Sequence, residues 1–103
     1  MVFPFKIVYF PQSNDTAFPV QVLVSVSKRK FKKAVDRNKI KRLIRESYRK
    51  NKYIIYDLLR TIDKQYAIAI MYIGDKIFTY SFTDEKIIAT LNRVSEQIKK
   101  DIQ

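Results

Sequence analysis

The chain has 103 residues, 47% of them apolar, and carries 21 Lys or Arg against 10 Asp or Glu for a net charge of +11. That length suits one domain spanning 1–103 with a real core, and the apolar content excludes a disordered basic tail. The absence of histidine and cysteine excludes disulfides, imidazole or thiolate metal sites and every His-dependent catalytic triad.

Phe3 to Phe10 alternates as a strand, with Phe3, Phe5, Ile7 and Tyr9 on one face and Lys6, Val8 and Phe10 on the other. Pro11 to Pro19, containing Ser13, Asn14 and Asp15, has the composition of a turn. Val20 to Ser27 reads as a second strand whose even positions are all valine, while Gln21, Leu23, Ser25 and Ser27 alternate with them. One face is dry and the other mixed, which predicts a sheet with helices on one side only.

From Ala34 the period becomes helical. Ile40, Leu43, Ile44 and Tyr48 form an apolar stripe, with Asn38, Lys41, Arg42, Arg45 and Arg49 opposite. Ile54, Ile55, Leu58, Leu59 and Ile62 mark a second amphipathic stretch. Tyr66 to Ile73 reads as a third strand, Gly74-Asp75 interrupts it, and Ile77 to Phe82 reads as either a short fourth strand or a loop. Thr83 is expected to cap a last helix with Asp84 and Glu85 in its first turn and a buried stripe of Ile87, Ile88, Leu91, Val94 and Ile98. The order β-β-α-α-β-(β)-α predicts an α+β sandwich.

Self-contained chemistry is hard to find. The acids are scattered, and the adjacent pair Asp84-Glu85 is expected to serve a helix dipole. A single glycine rules out a glycine-rich phosphate loop. No apolar run approaches the roughly 20 residues that span a bilayer, and the N-terminus lacks the layout of a secretion signal. No membrane partner is expected, and the expected location is the cytoplasm.

Charge is concentrated instead. Lys28 to Lys50 holds twelve bases against Asp36 and Glu46, whereas the other 80 residues are nearly neutral. A mixed-sign run would be an ordinary solvated face. Here like charges stand at i and i+4, Lys41 with Arg45 and Arg45 with Arg49, and repel by a few tenths of a kcal/mol each. A polyanion relieves that repulsion and is the natural partner, because each phosphate neutralised releases counterions.

The stretch Val24-Ser25-Val26-Ser27-Lys28-Arg29, followed by Ala34-Val35-Asp36-Arg37-Asn38-Lys39-Ile40-Lys41-Arg42-Leu43-Ile44-Arg45-Glu46, closely resembles the protein component of bacterial ribonuclease P. The likeness runs nearly unbroken from about Phe5 to Lys52, and the later β-α pattern agrees. The resemblance implies a small RNA-binding cofactor of a large catalytic RNA that removes the 5′ leader from precursor tRNA. Catalytic groups and Mg²⁺ would then belong mainly to the RNA, and this chain would hold neither catalytic nor metal-binding residues. Carried over by position, the RNA-binding residues are Lys28, Arg29, Arg37, Asn38, Lys39, Lys41, Arg42 and Arg45. The resemblance also implies a two-layer sandwich with a small mixed sheet and a left-handed β-α-β crossover, against the general rule for handedness.

Two departures stand out. Lys39 occupies a position where the motif carries a second Arg, which keeps the charge but loses a planar fork. The family pattern also begins with a helix that walls the leader cleft, whereas this chain starts at the first strand and is expected to lack that helix. The Lys6, Val8 and Phe10 face is then the candidate leader wall, with ordinary sheet packing an equal explanation for Val8 and Phe10. An open face also invites a dimer partner or a crystal neighbour. Two readings compete with this one: a ribosomal or RNA-chaperone protein with no enzymatic role, and a duplex-DNA module with a basic helix in the major groove.

Overall fold

Among the described residues the alternation and helical periods resolve into six elements: β1 (Phe5–Pro11), β2 (Val20–Val26), α1 (Ala34–Asn51), α2 (Tyr53–Ile62), β3 (Tyr66–Tyr72) and α3 (Tyr80–Asp101). The computed structural model describes residues 2–12 and 19–102; the turn read at Ser13, Asn14 and Asp15 lies outside them. The strands form one mixed sheet in the order β1-β3-β2, with β1 antiparallel and β2 parallel to the central β3. A parallel pair needs a long crossover, and α1 and α2 supply it.

The valine alternation in β2 does what a half-buried strand requires. Val20, Val24 and Val26 join Phe5 of β1 and Tyr66, Ile68, Ile70 and Tyr72 of β3 on the face beneath the helices. From above, α1 contributes Ile40 and Ile44, α2 contributes Ile55 and Leu59, and α3 contributes Ile87, Leu91, Val94 and Ile98. Phe31, between β2 and α1, closes the end of this core against Tyr72, with ring centroids 6.0 Å apart. Among the described residues no helix is long and apolar enough to cross a membrane.

Between β3 and α3 the loop alternative holds and the expected cap does not. No strand forms at Ile77 to Phe82; residues 73–79 are a loop, and Tyr80 already belongs to α3. The cap is Thr79 instead of Thr83: its hydroxyl accepts from the Phe82 N–H at 3.2 Å, and its own backbone is extended. Both threonines offer cap chemistry, and packing decides between them. The extra turn stacks Phe82 on Phe78 at 4.5 Å and buries Thr83 inside the helix. Within the loop, a Cβ on Gly74 would lie 2.9 Å from the Tyr72 hydroxyl, which donates to the Lys76 carbonyl; only glycine fits without moving that ring.

Moving the helix start changes the meaning of Asp84, which lies past the first turn and serves a different purpose. Its carboxylate accepts from the Ser47 hydroxyl at 2.7 Å and the Asn51 amide at 2.9 Å, and pairs with Lys50 at 3.5 Å. Asn51 also donates to the Ser47 carbonyl at 2.8 Å, a local bond that competes with the helical ladder where α1 gives way to α2. Ser47 and Asn51 are buried, so this node joins α1 to α3 through polar groups that have little access to water.

Asp84→Ala leaves the Ser47 hydroxyl and the Asn51 amide without their shared acceptor, and is expected to cost about 1–3 kcal/mol in urea unfolding at neutral pH. The Ser47 hydrogen bond, helped by Asn51 and Lys50 against the opposing effect of burial, holds the Asp84 carboxyl below its ordinary 3.8. A lowered folded value stabilises above the unfolded one and fades as pH falls through the folded value. The stability gap between wild type and Asp84→Asn should therefore narrow in acid below about pH 4.

Candidate nucleic-acid interface

Ile40 and Ile44 turn inward on α1, and the rotation this imposes decides where the charges go. Asn38, Arg42, Arg45 and Arg49 recur at i, i+4, i+7 and i+11, and all are exposed. At 1.5 Å per residue they run for roughly 16 Å along the outer face. Lys39 flanks the row on one side, and half-buried Lys41 on the other. Arg49 completes the stripe although the motif does not include it; its helical spacing was the available signal.

The loop before α1 extends the positive surface. Ser27 ends β2 in a hydroxyl turn, its Oγ accepting from the N–H groups of Arg29 at 3.2 Å and Lys30 at 3.4 Å. Lys28 and Arg29 are thereby held outward and exposed. Lys30 reaches back, donating from Nζ to the Ile73 carbonyl at 2.7 Å, which ties this loop to the end of β3. Lys32 and Lys33 are exposed beside the start of α1, where no side chain caps the helix. Cations there oppose the helix dipole, and a bound anion would offset that cost.

Arg37 stands apart from its motif neighbours. Its Nη1 donates to the Phe31 carbonyl at 2.7 Å and the Lys32 carbonyl at 3.0 Å. The side chain is half-buried and braces the turn into α1, a role that no sequence pattern signals. The structure thus leaves Lys28 and Arg29 exposed in the loop before α1 and Asn38, Lys39, Arg42 and Arg45 exposed on α1, with Lys41 half-buried and Arg37 partly committed to the fold.

Lys6, Val8 and Phe10 lie elsewhere, on the sheet face away from the helices. Strand register sets them in rows: Lys6 beside Met71 and Ser25, Val8 beside Ala69 and Leu23, Phe10 beside Ala67 and Gln21. Val8 is 44% exposed, Phe10 51% and Leu23 70%. The two alanines on the central strand leave a trough of about 520 Å³ between Phe10 and Leu23. This face is apolar across Val8, Phe10, Leu23, Ala67 and Ala69, with Gln21 and Ser25 on β2 and Lys6 at one end, so a partner could bury surface there and place an anion on Lys6. Among the described residues no three acidic side chains gather as a metal cage.

The chain is similar in sequence to known proteins. A family model described as Ribonuclease P matches residues 2–77. The ribonuclease P protein component of Porphyromonas gingivalis (strain ATCC 33277) is 34% identical over 98 residues, covering 95% of this chain and 72% of that protein. The component from Chlorobium phaeobacteroides is 37% identical over 87 residues, or 78% of this chain and 57% of the relative. The component from Chlorobaculum tepidum is 49% identical over 45 residues, or 44% of this chain and 29% of the relative. No solved structure gives a significant match.

The two motif arginines should separate in a denaturant titration. Arg37→Ala is expected to lower stability by about 1–2 kcal/mol, because two loop carbonyls lose a charged donor. Arg42→Ala, exposed and without such bonds, should change it by less than about 0.5 kcal/mol. Equal effects would show that Arg37 does not brace the loop.

Proposed function

The chain belongs to the ribonuclease P protein component family, and from that premise we propose how its surfaces divide the work. Membership makes it the protein part of an endoribonuclease ribonucleoprotein that processes the 5′ end of precursor tRNA, in association with a catalytic RNA. It favours this reading over a ribosomal, chaperone or duplex-DNA role.

The outer face of α1 and the Lys28–Arg29 turn bind the catalytic RNA. The observation that carries this reading is the exposed row Asn38, Arg42, Arg45 and Arg49, held outward by the burial of Ile40 and Ile44. Arginine forks bridge phosphate oxygens and stack on bases, and Asn38 adds a neutral donor and acceptor. The sheet trough holds the single-stranded leader of the precursor, with Val8 and Phe10 against bases and Lys6 against a phosphate. Apolar surface, small central residues and one terminal cation support that assignment.

The protein's contribution is affinity and position. Neutralising phosphates on two RNAs lowers their mutual repulsion, and holding the leader orients the scissile bond. On this reading Mg²⁺ is bound mainly by the RNA, as the family resemblance implies. The same membership supports a two-layer sandwich, a left-handed path from β2 through α1 and α2 to β3, and a cytoplasmic site of action.

Adding the protein to a bacterial ribonuclease P RNA should stimulate precursor-tRNA cleavage at low Mg²⁺. The Arg42→Ala/Arg45→Ala variant should bind that RNA more weakly, with its salt slope reduced by roughly one unit for each phosphate no longer neutralised. Stimulation with an unchanged slope would remove the α1 face from the interface. Absence of stimulation would overturn the functional reading.

A further inference from the structure

Apart from the basic helix and the sheet trough, several rings and cations gather at the end of the sheet where β1 begins and β3 finishes. Phe3 meets Phe78 edge to face with centroids 6.2 Å apart, and Phe78 stacks on Phe82 at 4.5 Å with planes 25° apart. Phe78 also touches Tyr72, a core residue, at 6.5 Å. The row therefore stands at the helix side of the sheet and is separate from the trough. Phe78 and Phe82 are half-buried, and Phe3 is 53% exposed.

Two lysines accompany the rings. Lys76 Nζ lies 5.2 Å from the Phe78 centroid and Lys86 Nζ 5.3 Å from that of Phe82. A closed apolar cluster would not need ammonium groups on its ring faces or a phenylalanine left half in water. The arrangement suits a nucleotide, whose base takes the ring and whose phosphates take the cations. The Lys30 bond to the Ile73 carbonyl joins this end of the sheet to the basic loop, so a strand leaving Lys28 and Arg29 has a short path to Phe3.

We propose that Phe3, supported by Phe78 and Phe82 and flanked by Lys76 and Lys86, is a stacking platform for an unpaired base of bound RNA. Phe3 offers the accessible ring face, Phe78 fixes its orientation, and the lysines neutralise the adjoining phosphates. This rests on the RNA-binding reading above but assigns residues outside both surfaces described there.

The test is binding of a short single-stranded oligoadenylate to the full chain, measured over a salt series. Phe3→Ala and Phe3→Leu should each weaken binding about tenfold with the salt slope unchanged, because stacking disappears while every phosphate keeps its cation. Phe3→Tyr should bind like wild type, and Lys86→Gln should lower the slope by about one unit. Leucine keeps the apolar packing on Phe78, so full affinity in Phe3→Leu would reduce Phe3 to packing and overturn the proposal. Phe3→Ala within twofold of wild type would also overturn it. The basic-helix reading stands or falls separately, on the binding of Arg42→Ala/Arg45→Ala to the ribonuclease P RNA, so the two failures are distinguishable.

Discussion

The rotation of α1 about its own axis is the constraint on which the rest depends. Burying two isoleucines, Ile40 and Ile44, contributes about 1.5–3 kcal/mol each. Repulsion between neighbouring bases on the opposite face costs a few tenths of a kcal/mol per pair. Hydrophobic burial therefore wins, and the charges are carried into solvent as an ordered row. The node of buried Ser47 and Asn51 with half-buried Asp84 adds a directional restraint at the far end of the helix. An apolar stripe alone tolerates some sliding; hydrogen bonds to one carboxylate do not.

The sheet is used just as asymmetrically. Its dry face is consumed by helices, and its other face leaves Val8, Phe10 and Leu23 exposed along the rows set by the pairing of β1, β3 and β2. Because β2 and β3 run parallel while β1 runs against them, the end of β2, the end of β3 and the start of β1 meet at one edge. Phe31 and Tyr72 close the core there, and the Lys30 tie and the Arg37 brace fix the loops around them. The fold thus delivers its basic loop, its basic helix and an aromatic row to neighbouring positions.

Much of this is legible in the residues. The valine alternation of β2 specifies which face is buried, and the spacing of Ile40 and Ile44 specifies which side of α1 is charged. The start of α3 is not legible: Thr79 and Thr83 have the same cap chemistry, and the Phe78–Phe82 stack that selects Thr79 is a tertiary interaction. The role of Asp84 is hidden for the same reason, since its partners lie 33 to 37 residues away in the chain. Arg37 shows the converse. Its motif position suggests an RNA-binding role, while the loop carbonyls that occupy its guanidinium are visible only in three dimensions.

The central claim is that the outer face of α1 lies against the catalytic RNA. The chain has no cysteine, so one introduced thiol can carry a tethered iron chelate that cleaves nearby RNA. Glu46→Cys places the probe among the exposed bases of α1, and Glu96→Cys places it on the exposed side of α3. Localised cleavage of the ribonuclease P RNA from position 46, with little from position 96, is the result this account predicts. Equal cleavage from both, or cleavage from 96 alone, would contradict it.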